Sequence, residues 1–189
     1  MESKLRLCVL PDGRFPERKT EGAEGFDVYL RAIVSSREMD SQGPNLRKTL
    51  FDFKNIPTDP DISSRVLEIR GELVYRVAPG ESVLGGIGFV TEMPFPMFYW
   101  VVERSGLASK WGITILNAGI PVDSDYRGEA GVLLCNRGNS PFDLRHNMRI
   151  AQVVFQYATV PNVIQVNSLG DLEITKRGAG GFGSTGLGG

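Results

Sequence analysis

The chain has 189 residues, with 21 Lys and Arg against 22 Asp and Glu and a formal net charge of −1. That length suits one domain of ordinary size. A 41% hydrophobic content supports a packed core rather than disorder. The near-neutral charge gives no global basic field for nucleic acid. No apolar run is long enough to cross a bilayer, and the opening MESKLRLCVL has charges without the apolar stretch of a signal peptide. The expectation is a cytoplasmic protein engaging neither nucleic acid nor membrane. Cys8 and Cys135 lie within apolar runs and read as buried thiols. The single histidine, His146, has no Cys or His at ligand spacing and reads as a surface residue.

In chain order the strand-like runs are LRLCVL, FDVYLRAIV, VLEIRGELVYRVA, SVLGGIGFV, FYWVV, GITIL, GVLLC, IAQVVFQYA and NVIQV. Gly, Pro and Asn punctuate them, a spacing that predicts an all-β sandwich or barrel. One amphipathic stretch, Asn45–Phe53, reads as a short helix. It lies inside residues 35–70, a polar, charged segment with Pro44, Pro57 and Pro60 that reads as a long excursion from the sheet. Its plain reading is a tolerated surface insertion. From residue 177 the chain runs RGAGGFGSTGLGG, almost without core-forming side chains. It reads either as a flexible end or as a segment whose glycine N–H groups, with Arg177, Ser184 and Thr185, gather an anion while Phe182 stacks on a flat ring.

The stretch Gly119–Gly131, GIPVDSDYRGEAG, is flanked by Val and Ile on both sides and reads as a β-hairpin with a polar tip. Asp123, Asp125 and Tyr126 carry its chemistry. Two carboxylates and a phenol on a loop held by a sheet suit binding or catalysis, and the same residues also suit an Asx-rich turn. Farther upstream, Glu103–Ala108 sets a cation, a hydroxyl and a glycine in one turn. That is a small phosphate grip, or a surface ion pair at Arg104.

Five segments, AEGFDVYL, RSGLA, VDSDYRGE, RIAQVVF and RGAGGFGSTG, occur in the order of the five motifs of the trimeric dUTPase family, which the chain resembles from Ala23 to Gly186. The resemblance implies an all-β subunit, a distorted jelly roll of β-clip type. It further implies a homotrimer in which three chains build each site. The expected organisation is one β domain over residues 1–176, carrying the 35–70 insertion, and a C-terminal arm over 177–189 that closes on a neighbour's site. The implied reaction splits dUTP to dUMP and pyrophosphate, which limits uracil in DNA and supplies dUMP for thymidylate synthesis.

By resemblance, Asp123 orients and deprotonates the attacking water. Arg104, Ser105, Gly106 and Gln152 hold phosphates. Asn117 and the backbone at Gly119, Ile120 and Val122 face the uracil, and Tyr126 packs against the deoxyribose and excludes a 2′-hydroxyl. Arg177, Gly183, Ser184 and Thr185 clasp the outer phosphate, and Phe182 lies on the base. Mg²⁺ is expected on the substrate phosphates and water, since it retains waters and needs few protein ligands. Asp27 is then a contact to metal-bound water, or alternatively a turn cap.

The chain departs from the family pattern at Glu24 and Leu30 in the first motif, at Glu103 before the Arg-Ser-Gly turn, and at Ile120–Pro121, with Gly119 displaced by one. The long spacing between the first two motifs is a further departure. A dCTP deaminase of the same fold is the nearest rival, but Leu133 stands where its proton-shuttling glutamate would fall. The other alternative is a non-catalytic nucleotide sensor.

Overall fold

The computed structural model describes residues 4–41 and 43–180, without the side chains of 43–45. Contacts divide the chain into a unit ending at Ala158 and a second beginning at Thr159. The first unit holds fourteen strands in four antiparallel sheets.

The largest sheet joins β10 (Ile113–Ile115), β12 (Gly131–Asn136), β7 (Ser82–Gly86), β3 (Ala32–Asp40) and β4 (Gly43–Phe51) in that order. A second joins β11 (Pro121–Val122), β9 (Met97–Val102), β14 (Arg149–Tyr157) and β2 (Phe26–Tyr29). Smaller sheets pair β1 (Arg6–Val9) with β8 (Phe89–Glu92), and β13 (Phe142–Leu144) with β6 (Glu72–Val77) and β5 (Val66–Ile69). Two short helices, α1 (Pro60–Ser63) and α2 (Ser105–Trp111), interrupt the strands.

The core is the sum of inward faces. Val28, Leu30, Ile33, Phe51, Ile87, Phe89, Tyr99, Leu134, Leu144 and Ile150 are all essentially inaccessible to water. Burial on this scale is the main favourable contribution to folding. Leu30, one of the departures in the first motif, is therefore a core side chain. The expectation of an all-β body holds.

Several expectations change. Asn45–Phe53 forms β4 rather than a helix, because Phe51 finds a cross-strand partner in Ile33 and joins the core. Tertiary pairing overrides the helical pattern. Much of the supposed excursion is thus a long β3–β4 hairpin, buried at Ala32–Ser35 and solvated beyond. The single run VLEIRGELVYRVA is two strands. Arg70 (φ 55°) and Gly71 (φ 80°) make the tight turn that folds β6 back on β5, with Ile69 opposite Glu72.

NVIQV is no strand: Val163 and Ile164 are 84% and 77% exposed and no described residue pairs with them. A β pattern without a partner strand leaves its backbone hydrogen bonds to water. Cys8 is exposed at the sheet edge, whereas Cys135 is buried. His146 is half-buried, its Nδ1 3.1 Å from the Arg31 carbonyl oxygen. Among the described residues no helix is long and apolar enough to span a membrane.

Candidate active site

The predicted hairpin exists. Ile113–Ile115 pairs with Leu134–Asn136, and between them Pro121 and Val122 pair with Trp100 and Tyr99. The polar tip is therefore pinned to two sheets. Asn117 holds its base: Nδ2 donates to the Gly131 carbonyl at 2.9 Å, and Oδ1 accepts from the Leu133 N–H at 2.8 Å. Gly119 has φ 75°, the left-handed conformation a side chain would resist. Its N–H donates to the Val101 carbonyl at 3.3 Å, and the Ile120 N–H to the Asn117 carbonyl at 3.4 Å.

Beyond the tip the chain turns at Asp123, whose carbonyl accepts from the Tyr126 N–H at 3.2 Å. The Tyr126 hydroxyl donates to the Glu129 carbonyl at 3.1 Å. The ring lies so close over Gly128 that a Cβ there would sit 2.5 Å from the hydroxyl oxygen. Glu129 itself is fully buried. Arg31 Nε and Nη2 donate to its two oxygens at 2.8 and 2.7 Å, and the Gly88 N–H adds a third bond at 2.9 Å. A bidentate, enclosed pair of this kind fixes geometry. The loop carrying Asp123 is thus anchored on both sides.

A cavity of about 220 Å³ opens against this loop, lined by Asn117, Ile120, Val122, Asp123 and Tyr126 together with Arg47, Val101, Pro121, Ala130 and Gly131. Five of the predicted site residues meet there. Gly119 shapes the turn without lining the cavity. No described side chain pairs with the Asp123 carboxylate, which stands exposed at the lip. A larger, mostly apolar hollow of about 630 Å³, lined by Phe98, Trp100 and Pro121 among others, lies on the other side of Asp123 and also borders Asp125. The smaller cavity brings together the polar groups that nucleotide chemistry requires.

A second group of predicted residues gathers elsewhere. Asp27 on β2 is 2% exposed and binds three donors: Arg149 Nη1 at 2.8 Å, Gln152 Nε2 at 3.1 Å and Arg104 Nε at 3.3 Å. Burial pushes its carboxyl pKa up, but the Arg149 hydrogen bond, the Arg104 charge and the Gln152 hydrogen bond outweigh that, and the net shift is downward. Two partly exposed guanidiniums over one enclosed carboxylate leave a net positive charge facing outward. Arg104 immediately precedes α2, and Ser105 and Gly106 form its exposed first turn. Glu103 accepts from the Thr114 hydroxyl and from the Ile115 N–H at 2.9 Å. Both bonds hold its carboxyl pKa below the ordinary value, and they tie the start of α2 to β10.

Asp27 caps no turn. Its oxygens face cations and an amide, which suits an anion next to the cluster and does not suit a metal ion. Among the described residues no group of three His, Cys, Asp or Glu could hold a metal. None of Asp27, Arg104, Arg149 and Gln152 lines the Asp123 cavity.

Arg149, Arg31, Glu129 and Arg47 were not singled out in the sequence. Arg149 begins the RIAQ run. It reaches the same carboxylate as Gln152, three residues on, because a bulge falls between Arg149 and Ala151. In a regular strand the two would face opposite ways. In the second unit, Arg177 Nε donates to the Gly180 carbonyl at 2.8 Å. Phe182, Gly183, Ser184 and Thr185 lie outside the described residues.

Comparison with known proteins agrees with this geometry. The dUTPase family model matches residues 68–186. The deoxyuridine 5′-triphosphate nucleotidohydrolase of Rhizobium rhizogenes strain K84 is 50% identical over 111 residues, 59% of this chain and 69% of that protein. That of Heliobacterium modesticaldum strain Ice1 is 34% identical over 94% of this chain and 92% of its own. In structure, the dUTPase of Staphylococcus bacteriophage 80alpha, solved with dUpNHpp, aligns with a TM-score of 0.68 over 97% of this chain and 99% of its own, at 17% identity. The dUTPase of phage phi11 of S. aureus, a likeness with a TM-score of 0.60 over 88% of this chain and 98% of its own at 14% identity, is described as coordinating a structural Mg(II) ion. With a family model over more than half the chain, a full-length relative and a matching fold, this chain belongs to the dUTPase family and is a dUTP diphosphatase.

Proposed function

We propose that the cavity beside β11 and β12 takes the deoxyuridine and that the Asp27–Arg104–Arg149–Gln152 cluster takes phosphates. The observation that carries this reading is the meeting of Asn117, Ile120, Val122, Asp123 and Tyr126 around one cavity. Asp123 orients and deprotonates the water that attacks the α-phosphorus. A carboxylate free of other partners is suited to that work. Arg104, with Ser105 and Gly106, holds phosphate oxygens, and Gln152 sets the position of Arg104 through their shared contact with Asp27. Phosphoryl transfer asks the protein mostly for positioning and charge neutralisation, and two guanidiniums supply both. Mg²⁺, which neutralises phosphate charge when bound, enters on the triphosphate and its waters. The described residues need hold none of it.

The two groups of residues line different parts of one chain, which supports sites assembled from several chains. The subunit is a distorted jelly roll, the assembly a homotrimer, and residues 177–189 an arm that closes over a neighbour's site with Arg177, Gly183, Ser184 and Thr185 on the outer phosphate and Phe182 on the base. Closed cyclic symmetry allows such sharing.

Complementation tests the sharing. Asp123→Asn chains and Arg104→Ala chains, each inactive alone, are unfolded, mixed and refolded together. Mixed trimers should regain dUTPase activity, because some sites then combine an intact Asp123 with an intact Arg104. No recovery in a mixture shown by mass analysis to contain hybrid trimers would place all the catalytic groups within single chains.

Tyr126 governs the sugar. Its ring is fixed by the Glu129 carbonyl and by contact with Gly128, so it cannot yield to a 2′-hydroxyl. Tyr126→Ala should raise kcat/KM for UTP relative to dUTP by roughly tenfold or more, since a rejected group is then accommodated. An unchanged ratio would move sugar selection to another residue.

A further inference from the structure

The β3–β4 hairpin brings to the Asp123 cavity a side chain that none of the five motifs contains. Alternate residues of β4 share a face. Phe51 is in the core, Thr49 accepts from Arg31 Nη1 at 3.3 Å, and Arg47 lines the cavity. On the facing strand Ser35 Oγ accepts from the N–H groups of Arg37 and Glu38 at 3.2 and 3.0 Å. These bonds hold a bulge, so that Val34 pairs with Thr49 and Met39 with Arg47. Arg47 Nη1 lies 3.5 and 3.4 Å from the carbonyls of Ser35 and Ser36, both long bonds. Its Nε is buried and has no hydrogen-bond partner. A buried donor left unpaired is costly and calls for an explanation.

A bound base supplies one. The other polar side chains of the cavity cannot donate freely. The Asn117 amide is committed at both ends, the Tyr126 hydroxyl donates to the Glu129 carbonyl, and Asp123 is a carboxylate. The N–H groups of Gly119 and Ile120 donate within their own turn. Uracil presents two carbonyl acceptors flanking one N–H, so its recognition needs donors. A guanidinium is a donor-only fork. Cytosine carries an amino group in place of one carbonyl and would set donor against donor.

We propose that Arg47 is a specificity-determining residue that touches substrate, donating a hydrogen bond to a uracil carbonyl in the cavity shared with Asp123 and Tyr126. The inference rests on the assignment of that cavity to the nucleoside. Arg47→Ala and Arg47→Lys in the full-length enzyme test it, with the affinities of dUMP and of a non-hydrolysable dUTP analogue measured alongside kcat and KM for dUTP and dCTP. Arg47→Ala should weaken dUMP and the analogue alike, by about tenfold as for a lost charge-assisted bond. KM for dUTP should rise more than kcat falls, the dCTP to dUTP ratio of kcat/KM should increase, and the melting temperature should hold. Lys should restore part of the affinity.

Unchanged dUMP affinity together with an unchanged nucleotide ratio would overturn the proposal. So would a loss confined to the triphosphate analogue, which would put Arg47 on the phosphate chain. Asn117→Ala is run in parallel, or Tyr126→Ala should that variant not fold. If the parallel variant weakens dUMP binding and Arg47→Ala does not, only the Arg47 contact fails. If neither weakens it, the assignment of the cavity fails as well.

Discussion

Replacing Asp123 by Asn should lower kcat for dUTP by roughly 10²–10⁴-fold, the range attributed to a positioned general base, while a non-hydrolysable dUTP analogue still binds with near-normal affinity. Asparagine keeps the shape and can still contact water but cannot take its proton. The structure favours this outcome because the Asp123 carboxylate stands at the cavity lip with no described partner, on a loop pinned by β11, by Asn117 and by the buried Arg31–Glu129 pair. Binding should therefore survive the change. Asp125 is the natural control. It borders only the larger apolar hollow, so Asp125→Asn should cost far less. Single-turnover kinetics with equilibrium binding separate the two effects. Near-normal turnover in the Asp123 variant would remove that residue from the base role.

Ending the chain at Lys176 should remove most of the activity, on the order of 10²-fold or more as expected for lost positioning of the reacting groups, and leave the fold intact. Every buried apolar side chain among the described residues lies at or before Val153, so the deletion takes nothing from the core. Circular dichroism and thermal melting should match the full-length protein. If the shortened enzyme hydrolyses dUTP at the full rate, residues 177–189 are only a tail. Should it unfold instead, the segment has a structural role that composition gave no reason to expect.

Some of the site was legible because its chemistry is local. Asp123, Asp125 and Tyr126 fall within four residues, and a turn between two β-branched runs displays neighbours together. Arg104, Ser105 and Gly106 are consecutive for the same reason. The cluster around Asp27 was only half legible. Asp27, Arg104 and Gln152 were named one by one, but nothing in their separate motifs says that one carboxylate holds both of the others. Arg149 was missed because a strand bulge, invisible in residue types, turns it to the same side as Gln152. Glu129 looked like one more charge in a polar tip. Only the Arg31 fork and the Gly88 N–H, brought from distant positions, make its complete burial tolerable. Arg47 was hidden inside a stretch read as a surface insertion.

By itself, the amino-acid sequence determined an all-β body, a polar hairpin rich in Asp and Tyr, and five ordered motifs that point to dUTP hydrolysis. These follow from periodicity, turn chemistry and residue type, which act over a few neighbouring positions. The tertiary structure alone decided that residues 43–51 are a strand and not a helix, that NVIQV pairs with nothing among the described residues, and that Asp27 sits among cations rather than capping a turn. It also brought Arg47 into the cavity. Each of those outcomes depends on partners far away in the chain, and strand pairing, bulges and buried ion pairs take their energies from contacts that local patterns do not encode.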